Sequence, residues 1–329
     1  MKEICVCIPC FNEEQNISPM VECLQKIFEK ELNEYHCRIM FIDNKSTDHT
    51  REAIRMQCAK YKNVQAIFNV RNFKYESGYY GLLQAGGDCT ISIPADFQVP
   101  VEIIPRMVHE WEQGASIVCA VKQGSKENIL MWKLRQIFYH IYQKLSGGIS
   151  VIRNFTGSGL YDYQFIKMLK ELNDPLPSLM QLIATHGWNI TEIKYVENQR
   201  KSGKTKSGFA DLVNIAVMRI TNVSTVIPRM ITFSGVFIAV CSMLLTLLYI
   251  VMKLLVGTGF LSGLLPILLG VFFMGSVQLI FLGMLGEYIM KINIRLMNRP
   301  LVIEEERINF YEDEGESDHE QQRRIQIWK

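Results

Sequence analysis

The chain has almost no net charge, +2 over 329 residues with 21% charged, and no compact basic stripe with interleaved aromatics of the kind that tracks a phosphate backbone. Nucleic acid is thereby excluded as the expected partner. The start, MKEICVCIPCF, has no apolar run long enough for a signal peptide, which predicts that the N-terminal part stays in the cytoplasm. No internal repeat is visible. Six of the nine cysteines, Cys5, Cys7, Cys10, Cys37, Cys89 and Cys119, lie within or beside apolar runs. They read as reduced core residues of a cytosol-facing domain rather than as a disulfide framework.

Charge is also missing locally. From Met230 to Met252 and again from Leu254 to Gly286 there is no Asp, Glu, Lys or Arg, and either run exceeds the ~20 residues that cross a bilayer as a helix. Two transmembrane helices are therefore expected, against the alternative of two buried core helices. Arg219 and Arg229 precede the first run and Lys291, Arg295 and Arg299 follow the second, with only Lys253 between. The positive-inside rule then places both ends in the cytoplasm.

Ahead of these runs, β-rich apolar segments alternate with helical patterns: EICVCIP then SPMVECLQKIFEK, RIMFID then TDHTREAIRMQCAKY, VQAIFNV then SGYYGLLQAGG, CTISIP then VEIIPRMVHEWEQG, and SIVCAV. Such alternation predicts an α/β domain with a mostly parallel sheet. Ser18-Pro19 reads as an N-cap with proline at the first helical position, a role that Pro100 repeats. Ligands of such sheets bind at the carboxyl ends of the strands. Attention falls on the polar residues there: Asn12 and Glu13, Asp43 and Asn44, Arg71 and Asn72, Asp96 and Gln98. The expected organisation is a cytoplasmic domain over 1–209, a juxtamembrane amphipathic helix over 210–229, the two-helix hairpin over 230–290 and a cytoplasmic C-terminal segment over 291–329. Nine acidic residues between Glu304 and Glu320 mark that segment as a solvated tail. MWKLRQIFYHIYQKL fits either the membrane interface or the domain's own core.

VCIPCFNEEQNI, FIDNKSTDHT, the Asp96-Phe97-Gln98 turn and RKSGKTK followed by a two-span hairpin resemble the inverting GT-A glycosyltransferases that load sugars onto polyisoprenyl phosphates, of the dolichol-phosphate mannose synthase type, in their bacterial two-span membrane-anchored form. The resemblance implies a GT-A (Rossmann-like) domain, a nucleotide-sugar donor, a polyisoprenyl phosphate acceptor, the bilayer as a partner, and a multi-pass protein of the bacterial inner membrane. Gly270, Gly275 and Ser276 would allow a homo-oligomer through close helix packing.

Chemistry gives these residues roles. Asp43 can accept from a base N–H while Pro9 and Phe11 shape an apolar wall; its alternative is a turn or cap ahead of the next helix. Glu13 contacts a ribose or caps a helix. The family carries Asp-x-Asp followed by Gln at the fourth strand end, where it holds a divalent ion, Mg²⁺ or Mn²⁺, against the donor pyrophosphate. Here Asp96 and Gln98 match, but Pro94 replaces the first Asp and Val99 a polar residue. Arg200, Lys201, Lys204 and Lys206 on a Gly/Ser-rich loop neutralise the leaving diphosphate or attract anionic lipid, with Arg71 and Arg153 as lesser candidates. Of these, Asp96, Arg200 and Lys204 are the expected catalytic set. Aligning FTGSGLYD on Leu160 and Asp162 puts Gly157 or Ser158 where relatives carry an Asp base. Asp162 itself reads as the N-cap of the helix DYQFIKMLKEL or as a replacement base. A phosphate monoester, dianionic near neutrality, needs no base to attack an anomeric carbon. The rivals are a processive polysaccharide synthase, whose Gln-x-x-Arg-Trp motif ENQRKSG does not match, and a degenerate nucleotide-sugar-binding membrane protein.

Overall fold

The computed structural model describes residues 1–123, 152–174, 178–185, 187–198, 264–297 and 300–310, with four isolated positions between 237 and 255. Its centre is an eight-stranded sheet in the order β7-β5-β6-β4-β1-β2-β3-β8. In sequence these strands are β1 (Glu3–Cys10), β2 (His36–Asp43), β3 (Val64–Asn69), β4 (Cys89–Ser92), β5 (Ile117–Lys122), β6 (Phe155–Asp162), β7 (Ile190–Tyr195) and β8 (Glu304–Ile308). β1 pairs parallel with β2 and β4, β2 with β3, and β5 with β7. β6 runs antiparallel to both β4 and β5, and β8 antiparallel to β3. Six strands therefore end on one edge of the sheet, while β6 and β8 begin there.

Period-two alternation explains why β1 sits at the centre. Ile4, Val6, Ile8 and Cys10 face one apolar layer, and Cys5 and Cys7 face the other. Cys7 and Cys10, three apart, thus point to opposite faces, and all eight described cysteines are free thiols. Burial raises those of Cys37, Cys58 and Cys119 to about 12, so they stay protonated and inert.

Helices cover both faces. α1 (Glu14–Glu31) buries Ile17, Met20, Val21, Leu24, Ile27 and Phe28, a stripe at helical spacing. It shares its layer with α2 (Thr50–Lys60) and α4 (Ile104–Glu112), which contribute Ile54, Cys58, Met107, Val108 and Trp111. The opposite layer is built from α3 (Tyr75–Gln84), α5 (Tyr163–Leu172) and α6 (Leu179–Thr185), through Tyr79, Leu82, Phe165, Leu169 and Ile183. α3 lies close on the sheet because position 81 is glycine: a Cβ there would meet Ile42 Cδ1 at 2.4 Å and Cys7 Sγ at 2.7 Å.

Several expectations change. α1 begins at Glu14, with Glu13 in the cap position and Pro19 inside the helix; Ser18 instead receives a hydrogen bond from Gln57 of α2 at 2.9 Å. Pro100 precedes a single 3₁₀ turn, Val101–Ile103, and Pro105 takes the first-turn position of α4. The acidic segment read as solvated from Glu304 begins as a strand of the sheet. A last helix, α7 (Leu264–Leu296), occupies the second uncharged run. Among the described residues, however, no helix is long and apolar enough to cross a membrane. The two-span hairpin, the membrane-anchored form of the resemblance, the transmembrane part of the fold class and the multi-pass inner-membrane location are corrected accordingly. The spans had been counted from missing charge alone. α7 begins inside the run from Leu254 to Gly286 and continues beyond it through Glu287, Lys291 and Arg295. The run from 230 to 252, the helical patterns at 131–145 and 211–229, and residues 311–329 fall outside the described residues apart from isolated positions.

β8 is held by charge. Arg55 grips Glu306 with two bonds of 2.6 Å, and Lys45 and Arg51 reach Glu305 at 2.8 and 3.0 Å. Hydrogen bonds from Lys45 and Arg51 hold the Glu305 carboxyl below its ordinary pKa, and that from Arg55 does the same for Glu306. A carboxylate depressed in the folded state stabilises above its unfolded pKa of about 4.3 and loses that contribution as pH falls through the lower folded value. Acid should therefore release β8 before the rest of the sheet. Hydrogen-exchange protection factors should fall at Ile308 and its partner Ala66 below about pH 4 while those of β1 persist. A simultaneous loss in both strands would contradict this.

Candidate functional site

The carboxyl ends of β1 to β4 place the polar residues singled out in the sequence along one edge. Asp43 closes β2 opposite Cys10 of β1, and its carboxylate is completely buried. It accepts from the Ser46 backbone N–H at 3.2 Å with each oxygen and from Arg51 Nε at 2.6 Å. A buried carboxylate without a cation would cost several kcal/mol, so Arg51 is what permits Asp43 to stand here. The turn role weighed for Asp43 is thus real.

Asn44 serves as a hub. Its amide nitrogen donates to Asn72 Oδ1 at 2.9 Å and to the Lys74 carbonyl at 3.3 Å, and its oxygen accepts from the Phe73 N–H at 2.8 Å. It therefore sets the loop between β3 and α3. Asn72 accepts from the Lys74 N–H as well. Arg71 is exposed, with its guanidinium 4.6 Å from the Phe73 ring centroid. On β1, Pro9 packs beside Gly78 of α3. Phe11 and Glu13 are half-buried, and Asn12 adopts φ 56°. The Asn12 side chain accepts from the Thr47 N–H at 2.7 Å and its backbone N–H donates to Ser46 Oγ at 2.8 Å. Glu13 accepts from Asn16 Nδ2 at 2.6 Å. These contacts lock the loops after β1 and β2 together.

Asp96 lies at the end of β4, 5% exposed, with Oδ1 accepting from the Gln98 N–H at 3.1 Å. Phe97, between them, takes φ 59° and turns its ring into the core. The left-handed residue brings Asp96 and Gln98 around one tight turn. The Gln98 carbonyl accepts from the Asn198 N–H at 3.2 Å, so the segment after β7 borders this turn. Tyr195 there is pushed up to about 12, first by burial and then by the Glu197 and Asp96 carboxylates. Glu197 in turn pairs with Lys122 at the end of β5. Asp96 and Gln98 offer hard oxygen donors, and among the described residues no group of three ligand-type side chains accompanies them. Such a pair suits Mg²⁺ or Mn²⁺ only where a phosphate-bearing ligand completes the shell.

β6 decides what happens to FTGSGLYD. Ser92 pairs with Gly159 and Cys89 with Asp162, so the strand enters at the site edge with Thr156, Gly157 and Ser158 and leaves at the far edge with Asp162. There Asp162 caps α5 by accepting from the Gln164 N–H at 2.8 Å and accepts from Trp111 Nε1 at 2.8 Å. Gly157, at φ +101°, occupies a backbone region closed to most L-residues. Arg153 is exposed just ahead of β6. Arg200, Lys201, Lys204 and Lys206 lie outside the described residues. Arg51 and Glu305 were missed in the sequence; the signal for Arg51 was its place in the first turn of the helix that follows Asp43.

A parallel-dominated α/β sheet with paired polar loops at its carboxyl edge and a single acidic turn after β4 defines a protein of the nucleotide-sugar transferase type, consistent with GT-A architecture. Residues 5–170 match the model of glycosyl transferase family 2, and the chain belongs to that family as an enzyme of sugar transfer. It is 31% identical to the SfII prophage-derived bactoprenol glucosyl transferase of Shigella flexneri, over 92% of this chain and 97% of that one. It is 28% identical to a prophage bactoprenol glucosyl transferase homolog of Escherichia coli K12, over 92% and 98%. Among solved structures it is similar to S. aureus TarS 1–349, at 16% identity and TM-score 0.40 over 59% of this chain and 58% of that one. Another is the glucosyl-3-phosphoglycerate synthase of Mycobacterium tuberculosis with Mn²⁺, UDP and phosphoglyceric acid, at 15% identity and TM-score 0.43 over 66% and 75%.

Position at the far edge makes Asp162 structural. Asp162→Ala should lower stability by about 1–2 kcal/mol through the lost cap and the unpaired Trp111 N–H, while leaving kcat within twofold. Urea melts beside turnover measurements check it; a collapse of turnover with the fold intact would contradict the placement.

Proposed function

We propose that the chain transfers one sugar from a nucleotide-sugar donor to a polyisoprenyl phosphate by in-line displacement with inversion at the anomeric carbon. The observation that carries the acceptor class is the direction of β6. Its site end brings Thr156, Gly157 and Ser158, and the nearby Asp162 is at the opposite edge. No carboxylate base comes from this strand, and an alcohol acceptor would need one. A phosphate monoester does not. The bactoprenol glucosyl transferases among the relatives support the same acceptor, with glucose as the first sugar to try.

In this reading an acceptor phosphate oxygen attacks the anomeric carbon, the bond from that carbon to the nucleoside diphosphate breaks, and the diphosphate leaves with the electron pair. No proton moves. Pro9 and Phe11 form the wall for the base, buried Asp43 holds the turn beside it through Ser46 and Arg51, and Asn12 and Glu13 border the ribose. Asn44 and Asn72 hold the loop beside it. Arg71 and Arg153, with Arg200, Lys201, Lys204 and Lys206, supply positive charge for donor and acceptor phosphates. Asp96 and Gln98 would hold a divalent ion, which supplies charge neutralisation for the leaving diphosphate.

The test is radiolabelled UDP-glucose with undecaprenyl phosphate in detergent, followed by chromatography of the lipid product. Wild type should form it and Asp96→Asn should lose about a hundredfold or more of turnover with unchanged melting. The rate should rise to a plateau through the phosphate's second ionisation near pH ~6, and free polyprenol should be a very poor acceptor. Substantial transfer to polyprenol, or full activity of Asp96→Asn, would overturn this reading.

A further inference from the structure

At the edge of the sheet opposite the candidate site, a cavity of about 70 Å³ lies between the loop from α3 to β4, β4 itself and one face of α5. A single water needs roughly 10–15 Å³ of such space. That leaves room for a small polyatomic ion. Gly86 and Gly87 line the cavity from the loop, Thr90 from β4, and Tyr163, Lys167 and Lys170 from α5, where positions i, i+4 and i+7 share a face. The glycines let the loop lie close on β1 and β2. A Cβ on Gly87, which takes φ +99°, would meet the Glu3 carbonyl oxygen at 2.8 Å, and one on Gly86 would meet Arg38 Nη2 at 2.9 Å.

The side chains around this space offer hydrogen-bond donors and positive charge, and no carboxylate is among them. Thr90 is 2% exposed, and its hydroxyl makes no hydrogen bond to any described residue. A buried hydroxyl without a partner is costly unless something in its cavity bonds it. Lys167 and Lys170 are exposed at the rim and form no ion pair among the described residues. Desolvation nonetheless lowers the Lys170 ammonium, and no carboxylate raises it back. Glu3 and Asp88, beside the loop, are spent elsewhere: Glu3 pairs with Arg38, and Asp88 accepts from the Glu3 N–H at 2.7 Å.

We infer that this cavity is a binding site for a small oxyanion of the phosphate class, whose oxygens accept from the Thr90 hydroxyl and lie against the ammonium groups of Lys167 and Lys170. Free phosphate and the phosphate of a lipid headgroup present the same oxygens to it. The site is separate from the one at the carboxyl edge, because Thr90 is the second residue of β4 and Asp96 follows the strand's other end. It does not depend on which sugar or acceptor the enzyme uses. A competing account assigns the two lysines to the carbonyl end of α3, which attracts cations by itself. They would then stabilise the protein with no anion present.

The experiment titrates the chain with inorganic phosphate by calorimetry at constant ionic strength, with and without excess UDP. It compares wild type, Thr90→Val, Lys167→Gln, Lys170→Gln and, as a control, Lys26→Gln at an exposed position of α1. Wild type should bind phosphate in both conditions. Lys167→Gln and Lys170→Gln should each weaken it about tenfold, and Thr90→Val, which keeps the shape and removes the hydroxyl, about threefold. Lys26→Gln should stay within twofold of wild type. Phosphate should raise the melting temperature of wild type and not that of Lys170→Gln. Without phosphate, Lys170→Gln should melt no lower than wild type, since it loses an unpaired ammonium. The same titration with dihexanoyl phosphatidic acid, a soluble lipid phosphate, separates the two sources. Tighter binding than inorganic phosphate, with the same sensitivity to the three cavity variants, assigns a lipid headgroup; weaker binding assigns the free ion.

Absence of binding by both probes in wild type would overturn the inference. So would equal weakening by Lys26→Gln, or an affinity unchanged in Thr90→Val and both cavity lysine variants. Loss of phosphate binding in excess UDP would also overturn it, by placing the ion at the carboxyl edge. A lowered melting temperature in phosphate-free Lys170→Gln, with no response of wild type to phosphate, would leave the lysines to α3 instead.

Discussion

A completely buried carboxylate at the end of a central strand requires a cation, and the contact between Asp43 and Arg51 meets that requirement. Removing the arginine alone would leave an uncompensated charge, a loss of about 3–5 kcal/mol in comparable pairs. The constraint propagates outward. Because Arg51 must face Asp43, the first turn of α2 must sit over the ends of β2 and β3. This lets Thr50 Oγ1 accept from the Glu13 N–H at 2.8 Å and so fixes the start of α1 as well. The loops after β1 and β2 are thus consequences of one ion pair together with the Asn12, Ser46 and Thr47 contacts that close around it.

Much of this was legible in local patterning, and what was not is long-range. The first five strands and four helices follow from apolar periodicity because each buries its own stripe against the sheet. β8 does not: EEERI carries no apolar alternation, and its charges read as solvated until their partners are known. Those partners, Lys45, Arg51, Arg55, Tyr80 and Gln84, come from loops and helices folded long before it in the chain. Charge complementarity over such separations leaves no trace in a sequence window. Uncharged runs misled in the opposite direction, since missing charge describes composition and not the beginning or end of a helix. Ser18-Pro19 misled through a cap motif that is locally sound. Here Glu13, held by Thr50, starts the helix earlier, and Pro19 is its sixth residue, past the first turn, where it leaves the Gln15 carbonyl without its intrahelical N–H.

The candidate site was more legible than its contacts. Placing ligand chemistry at carboxyl strand ends singles out Asp43, Asn44, Asn72, Asp96 and Gln98 from the sequence, and the fold brings them to one edge of the sheet. It did not reveal that Asn44 and Asn72 are bonded to one another. Such residues fix the loops at the strand ends, and that differs from touching a ligand. A polar side chain at a strand end therefore has two distinct uses, separated by hydrogen bonds and exposure together: Asn44 and buried Asp43 are spent within the protein, whereas Arg71 stays exposed at the end of β3.

Strand direction separates two further residues that the sequence left as rivals. Within FTGSGLYD, Gly157 and Asp162 are five positions apart, a distance along an extended strand of roughly 16 Å. Had β6 run parallel to β4, Asp162 would have ended on the same edge of the sheet as Asp96. Running antiparallel, it carries Asp162 to the opposite edge to cap α5 and hold Trp111, and delivers glycine and serine to the site. Among the described residues the carboxylates at that edge are bonded within the protein, Asp43 to Arg51, Glu197 to Lys122, Glu13 to Asn16 and Asp48 to Thr50. Which of the two residues borders the carboxyl edge is in this sense set by the polarity of one strand.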